Sequence, residues 1–153
     1  MKDAKVDAAR VVQYEFQVEI EATPARVWRA LTDQLSSWWL PDFHMLGEDS
    51  VVTLEPRPGG RLFEQRGDDG LLWYTVLAIS PPNSLSLAGY CTPEWGGPCT
   101  TLLTIKLTEQ GAVTQVSITD ALYGLVSDAQ VSSLRSGWQQ LFGAGLKRFV
   151  ESA

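Results

Sequence analysis

Residues 131–150, VSSLRSGWQQLFGAGLKRFV, decide the fold because they carry the pattern of a long amphipathic helix. Apolar side chains recur at helical spacing and form one stripe: Val131, Leu134, Trp138, Leu141, Phe142 and Phe149. The stripe spans an arc of about 100°, the width of a helix face that packs on a core. Ser127 and Gln130 precede it with the spacing of a capping box. We therefore predict a C-terminal helix that ends near Val150 and is about 33 Å long.

Three glycines interrupt this helix, and each costs about 1 kcal/mol relative to alanine in a helix interior. Gly145 lies in the middle of the apolar stripe, Gly137 lies at its edge, and Gly143 points away from it. Two interpretations remain open: either the glycines permit close packing or a bend of the helix, or they leave a cavity beside it. The six tryptophans favour a cavity, because their rings line pockets as well as fill cores.

The N-terminal region predicts one strand and two short helices. From Val12 to Ala22, apolar and polar side chains alternate, which is typical of a strand with one buried face. Thr23 and Pro24 then supply the N-cap and the first residue of a short helix that ends near Thr32. The adjacent tryptophans at 38–39 follow, in an irregular segment or a second short helix.

From about Ser50 to Leu122, the pattern is one of short strands separated by turns. Turn signals stand at PGG (58–60), GDDG (67–70) and SPPN (80–83). Strands at this spacing, with no helix between them, form an antiparallel meander. The chain therefore predicts an α+β fold, in which a seven-stranded curved antiparallel sheet surrounds the long C-terminal helix, with two short helices between strands 1 and 2.

The composition predicts one domain over residues 1–153, whose first 11 residues form a loosely ordered segment. The formal net charge of −6 argues against nucleic acid and membrane surfaces as partners, because both require clustered Lys and Arg. No signal peptide is evident, so we expect a cytoplasmic protein with Cys91 and Cys99 reduced. A disulfide between them, across a hairpin whose loop is TPEWGGP (92–98), remains the alternative.

No set of residues in the sequence makes a convincing catalytic or metal site. His44 is the only histidine, and no carboxylate is placed by spacing to orient it as a general base. Gly59 and Gly60 mark a hairpin turn rather than a phosphate-binding loop, since no helix follows them. We therefore expect neither a metal ion nor a cofactor.

Four segments resemble the activator of Hsp90 ATPase homologue family, which belongs to the START-like, Bet v 1-like (SRPBCC) superfamily. They are IEATPARVWRALTDQLSSWWLP (20–41), PGGRLFE (58–64), DDGLLW (68–73) and GWQQLFGAGLKRFVE (137–151). The resemblance implies a helix-grip fold, in agreement with the order of elements predicted above. Tyr74 departs from the family pattern, which often has glycine at this position, and a bulky side chain there would narrow a pocket.

The resemblance also implies a cavity between the sheet and the C-terminal helix, which suits a small, largely apolar ligand. We expect the cavity or its mouth to be lined by eleven residues: Trp28, Trp38, Trp39, Phe43, Phe63, Trp73, Tyr90, Trp138, Leu141, Phe142 and Gly145. Of the adjacent tryptophans, one ring is expected to pack inward while its neighbour covers the entrance.

Two other functions remain open. The first is a co-chaperone-like module, linked to the stress response, that contacts a chaperone of the Hsp90 type. The second is an enzyme of the cyclase, aromatase or hydrolase type, in which polar residues that project into the cavity perform acid–base chemistry. The candidates for that role are Tyr74, Tyr90, Tyr123 and His44. Under any of these functions we expect a monomer or a homodimer.

Overall fold

The computed structural model describes residues 3–152 and contains the predicted seven-stranded antiparallel sheet, in the order β1-β7-β6-β5-β4-β3-β2. The strands are β1 (Arg10–Ile20), β2 (Val51–Leu54), β3 (Arg61–Arg66), β4 (Asp69–Ser80), β5 (Ser84–Cys91), β6 (Cys99–Gln110) and β7 (Val113–Gly124). The sheet and the long terminal helix confirm the α+β helix-grip fold. β1 begins and ends two residues earlier than the alternation predicts.

The predicted N-terminal segment overlaps this sheet. Residues 3–9 have no regular secondary structure, residues 10 and 11 already belong to β1, and residues 1 and 2 lie outside the described chain.

Two short helices connect β1 to β2, as predicted. They are α1 (Pro24–Asp33) and α2 (Leu35–Trp38), and a 3₁₀ turn follows at Pro41–Phe43. Thr23 caps α1, because its Oγ1 accepts a hydrogen bond from the Arg26 amide at 3.2 Å. These helices close one end of the sheet.

The C-terminal helix runs from Asp128 to Glu151 in three parts: α3 (Asp128–Gln140), a π-helical segment (Leu141–Lys147) and α4 (Arg148–Glu151). Ser127 caps it, since its Oγ accepts from the Gln130 amide at 3.1 Å. The π-helical turns lie in the glycine-containing part and were not indicated by the sequence pattern. Within residues 3–152, no helix has the length and apolarity that crossing a membrane requires.

Both adjacent tryptophans are buried, so the expectation that one of them covers an entrance is wrong. Trp38 and Trp39 are 4% and 5% exposed, and their ring centroids lie 5.7 Å apart. The backbone changes from helical to extended at Trp39 (φ −64°, ψ 117°), which lets successive side chains turn toward the same core. Each indole N–H donates to a carbonyl: Trp38 to Ala30 at 2.8 Å, and Trp39 to Phe43 at 3.0 Å.

The stripe glycines allow close packing of the helix against the segment after α1. A Cβ on Gly145 would lie 2.6 Å from the Trp38 carbonyl oxygen, which no side chain tolerates. A Cβ on Gly137 would lie 3.6 Å from the Phe43 ring, and one on Gly143 would meet nothing within 4 Å. At Gly145 the structure therefore shows close packing, and the neighbour is α2 rather than the sheet.

The same helix also covers the open edge of β1. Lys147 Nζ donates to the Glu19 carbonyl, and Arg135 Nη2 donates to the Glu15 carbonyl at 3.4 Å. At the end of the strand, the Glu21 amide donates to the Glu151 carboxylate at 2.8 Å. Backbone groups of an edge strand are thus bonded by helix side chains.

Candidate ligand-binding site

An apolar pocket lies between the inner side of the sheet and α3, away from α1 and α2. Its volume is about 260 Å³. We call it the β4–β5 pocket, and its lining comes from two loops, three strands and α3: Met45, Leu71, Leu72, Trp73, Tyr74, Tyr90, Cys91, Trp95, Thr101, Leu134 and Trp138. Most of these side chains are aliphatic or aromatic, which is typical of a site for a small apolar molecule.

A β-bulge in β4 creates one wall of the β4–β5 pocket. Leu62 of β3 pairs with Tyr74, but Phe63 pairs with Leu72, so Trp73 is an extra residue in the ladder. The bulge lets the consecutive side chains of Trp73 and Tyr74 both turn to the inner side. The Tyr74 ring then lies over Gly89 of β5, where an added Cβ would be 2.8 Å from the ring.

Burial distinguishes a floor from a rim. Tyr74, Thr101 and Trp138 form the floor and are 4%, 7% and 8% exposed. The rim consists of side chains that are 44% to 64% exposed: Met45, Leu72, Tyr90 and Trp95. A small molecule could therefore enter between the rim residues and reach the buried floor.

A buried hydrogen-bonded chain lies beneath the floor. Asp120 is 1% exposed, and its carboxylate accepts from Tyr14 Oη at 2.7 Å and from Thr101 Oγ1 at 2.5 Å. Tyr74 Oη lies 3.3 Å from Thr101 Oγ1 and continues the chain into the pocket wall. Within residues 3–152, no cationic side chain forms an ion pair with Asp120. The carboxylate is held by hydroxyl groups instead.

Burial dominates the ionisation of this chain. It raises the pKa of Asp120 above its usual value, although the hydrogen bonds from Thr101 and Tyr14 act in the opposite direction. Burial, and then the charge of Asp120, also raise the pKa of Tyr14 and of Tyr74 far above the ordinary phenol value. Both tyrosines are therefore neutral donors at physiological pH.

Trp138 contributes a polar group that has no partner. Its indole N–H is buried and forms no hydrogen bond with any described residue. Buried donors are rarely left unpaired in native proteins, and each exception calls for an explanation. Trp138 lines the β4–β5 pocket and also the small space under α1 and α2, and its ring lies 6.0 Å from the Tyr74 ring.

The two cysteines face each other across the β5–β6 hairpin, as the sequence predicts. Cys91 pairs directly with Cys99 in the register, and both are free thiols. Burial, together with the hydrogen bond to Cys99, raises the pKa of Cys91 to about 12. Cys91 lines the pocket as a neutral thiol, and a neutral thiol is a poor nucleophile.

A second buried carboxylate fixes the loop that carries Met45. Glu64 accepts from the Leu46 amide and the Ser50 hydroxyl, both at 2.7 Å, and from Trp73 Nε1 at 3.1 Å. Burial acts to raise the pKa of Glu64, but these hydrogen bonds outweigh it and the pKa is lowered. The loop is thereby tied to the bulged strand.

The structure divides the eleven predicted site residues among several places. Trp73, Tyr90 and Trp138 line the β4–β5 pocket. Trp38, Trp39 and Phe142 instead surround a closed space of about 20 Å³ under α1 and α2. Leu141 is fully buried, and Gly145 packs against the Trp38 carbonyl.

The other three predicted residues lie away from the pocket. Trp28 is half-buried on α1, Phe43 packs near Gly137, and Phe63 lies under the Arg61 guanidinium at 4.5 Å.

The residues considered for acid–base chemistry are also dispersed. Only Tyr74 is on the floor; Tyr90 is at the rim, and Tyr123 is 60% exposed on the outer face of the sheet. His44 bonds Ser50 Oγ through Nδ1 at 2.7 Å, and its Nε2 lies 3.3 Å from the Trp39 carbonyl oxygen. These bonds place His44 in the scaffold of the loop.

Sequence reasoning missed Thr101 and Asp120, although a signal for Asp120 was present. In β7, Ile118, Asp120 and Leu122 share the buried phase of the alternation. An aspartate among inward-facing apolar residues is costly unless it is hydrogen-bonded, so it marks a buried polar site.

Solved structures of similar fold include a putative uncharacterized protein from Rhizobium leguminosarum, with a TM-score of 0.74 and 20% identity over 97% of this chain and 100% of that chain. Mll3558 from Rhizobium loti has a TM-score of 0.69 and 16% identity, over 90% of this chain and 96% of that chain. The Aha1 dimer from Colwellia psychrerythraea has a TM-score of 0.64 and 21% identity, over 92% and 96%. Likeness at these identities establishes the fold alone.

Sequence comparison is more specific. No curated protein sequence matches the chain significantly. The family model of activator of Hsp90 ATPase homolog 1-like proteins matches residues 21–151, which is most of the chain. The protein therefore belongs to the activator of Hsp90 ATPase homolog 1-like family.

Proposed function

We propose that this protein binds a small, largely apolar molecule in the β4–β5 pocket. The observation that carries the proposal is the pocket itself: a space of about 260 Å³ with apolar walls, an accessible rim and a buried floor. Transfer of an apolar molecule from water into such a site is favourable by about 25 cal/mol per Å² of buried apolar surface.

The volume limits the size of the ligand. Pockets for drug-sized molecules commonly measure about 300–1,000 Å³. At about 260 Å³, the β4–β5 pocket lies just below this range. It suits a molecule of one or two rings better than a long lipid chain.

Thermal unfolding with toluene, indole and naphthalene as probes tests the proposal. A ligand present at 100 times its Kd stabilises the folded protein by about 2.7 kcal/mol, which raises Tm measurably. Leu134→Trp places a large ring in the pocket and is expected to abolish this stabilisation. Ser133→Trp adds the same ring to the exposed side of the same helix and is expected to preserve it. Absence of stabilisation by all three probes, or equal stabilisation of both variants, would refute the proposal.

A second proposal is association between two copies of this chain through the outer face of the sheet. Val11 pairs with Tyr123 in the register there, and Leu102 lies on the adjacent strand. These three side chains are 76%, 60% and 45% exposed, which makes an apolar patch. The Aha1 relative from Colwellia psychrerythraea is itself described as a dimer, which supports a homodimer here.

Sedimentation equilibrium over a range of concentrations tests this association. A monomer–dimer equilibrium that Tyr123→Lys shifts toward monomer supports it, whereas a monomer at all concentrations refutes it.

The family name also supports a third proposal, contact with a chaperone of the Hsp90 type. The test is stimulation of Hsp90 ATPase activity by the purified protein, and an unchanged rate of hydrolysis would count against it.

A further inference from the structure

The floor of the β4–β5 pocket carries polar groups whose hydrogen-bonding directions are fixed. Tyr74 and Thr101 belong to the chain that ends at Asp120, and Trp138 carries the unpaired N–H. The inference below rests on the proposed function, that the pocket binds a ligand, and concerns which polar group that ligand carries.

The donor and the acceptor of each hydrogen bond beneath the floor can be assigned. Tyr14 and Thr101 both donate to the Asp120 carboxylate. Thr101 has a single hydroxyl proton, and that proton is committed to Asp120 at 2.5 Å. The contact of 3.3 Å between Thr101 and Tyr74 therefore requires Tyr74 to be the donor.

Once Tyr74 has donated its only proton to Thr101, only lone pairs remain on its oxygen. Toward a ligand, Tyr74 Oη is therefore a hydrogen-bond acceptor. The nearby indole N–H of Trp138 is a donor without an acceptor. Both rings line the pocket and their centroids lie 6.0 Å apart, so the floor residues carry one acceptor and one donor.

Few functional groups on a ligand can both donate a hydrogen bond to Tyr74 and accept one from Trp138. A hydroxyl group donates one proton and accepts through its lone pairs, so a single hydroxyl can bond Tyr74 and Trp138 together. An ether oxygen satisfies only Trp138, and a hydrocarbon satisfies neither. A carboxylate cannot donate to Tyr74, and its charge would be buried beside the Asp120 carboxyl group, where desolvation opposes binding.

We propose that the β4–β5 pocket selects small aromatic or alicyclic molecules bearing an uncharged hydroxyl group, which Tyr74 and Trp138 bind at the floor. The ring system fills the apolar part of the pocket. Asp120 acts as a positioning residue, because it fixes the proton of Thr101 and thereby the acceptor role of Tyr74.

Four probes with the same ring system test the selection: 2-naphthol, naphthalene, 2-methoxynaphthalene and 2-naphthoate. Their dissociation constants are measured at neutral pH by quenching of tryptophan fluorescence. We expect 2-naphthol to bind about tenfold or more tightly than the other three, because a lost hydrogen bond at a buried site costs about 1–3 kcal/mol.

Tyr74→Phe removes the acceptor and keeps the ring. It is expected to weaken 2-naphthol binding about tenfold while naphthalene binding changes less than about twofold. Trp138→Phe, which removes the donor, is a second variant with the same expectation for 2-naphthol. Trp28→Phe changes a half-buried tryptophan on α1, away from the pocket, and is the matched control for Trp138→Phe, with all four constants unchanged.

The results separate this inference from the proposed function. Equal affinities for naphthalene and 2-naphthol, or a preference for 2-naphthoate, would overturn the proposed selection for a hydroxyl group. Either result would leave the proposal of an apolar binding pocket in place. Failure of all four probes would overturn both. The wild-type series decides the matter even where a variant fails to fold.

Discussion

The two ends of the interior differ although one helix runs through both. At the closed end, Trp38, Trp39 and Phe142 leave a space of only about 20 Å³. At the open end, Tyr74, Trp138 and their neighbours leave about 260 Å³. The difference shows that a curved sheet around a helix does not by itself create a cavity. Local geometry decides where space remains: a glycine admits α2 at one end, and a bulge remodels the wall at the other.

The two ends also differ in chemistry. The closed end pairs its indole N–H groups with backbone carbonyls, so its polar groups are satisfied within the protein. The open end leaves the Trp138 N–H without a partner and places a buried carboxylate under its floor. Complete pairing is typical of a structural core, and incomplete pairing is expected where a ligand completes the set.

The largest expected effect is the cost of removing a ring from the closed end. Phe142→Ala leaves a cavity among packed aromatic rings and is expected to lower the free energy of unfolding by about 3–5 kcal/mol. Leu134→Ala at the open end removes a half-buried side chain that already borders space, and should cost about 1 kcal/mol. Urea unfolding of both variants measures the contrast, and equal losses would contradict it.

A pair of helix glycines provides the next test. Gly145→Ala forces a methyl group against the Trp38 carbonyl oxygen and is expected to destabilise the protein by about 1–3 kcal/mol. Gly143→Ala meets open space and should stabilise it by about 0.5–1 kcal/mol, because alanine is the better helix former. Urea unfolding checks the sign of each change. Destabilisation by both would show that the tight contact at Gly145 is not the cause.

The two buried carboxyl groups beside the pocket are expected to respond oppositely to pH. The pKa of Glu64 is lowered in the fold, so its contribution to stability is present above the unfolded pKa and is lost as pH falls through the folded value. The pKa of Asp120 is raised, so its contribution declines as pH rises from the unfolded pKa, about 3.9, through the folded value.

Unfolding free energies of Glu64→Gln and Asp120→Asn, each subtracted from the wild type between about pH 3 and 7, measure these contributions. The difference for Glu64 should grow with pH, and the difference for Asp120 should shrink. Slopes of the same sign would contradict the assigned directions.

The smallest effect concerns Cys91 at the pocket wall. Because its pKa is raised to about 12, its alkylation by iodoacetamide at mildly alkaline pH should be at least about tenfold slower than that of free cysteine, and should accelerate as pH rises. Tandem mass spectrometry of the wild-type protein distinguishes labelling at Cys91 from labelling at Cys99. Bound 2-naphthol should slow the reaction further. A rate equal to that of free cysteine would show that the thiol is not buried.

The fold could be predicted because its signals are local. The alternation in β1, the Thr23 cap and the apolar stripe of the terminal helix each depend on residues close in sequence. The position of the open space depends on features that have no such signature. These features are the bulge at Trp73, the extended backbone at Trp39 and the π-helical turns. The predicted pocket residues are therefore divided among several places in the fold.

The cover that the C-terminal helix gives to β1 has a consequence for behaviour at high concentration. An uncovered edge strand is a template on which strands of other molecules can add, one after another. Here a strand of another molecule would first have to displace Arg135 and Lys147 from the Glu15 and Glu19 carbonyls. The C-terminal helix therefore also hinders the addition of further strands at this edge, and with it the formation of fibrous aggregates.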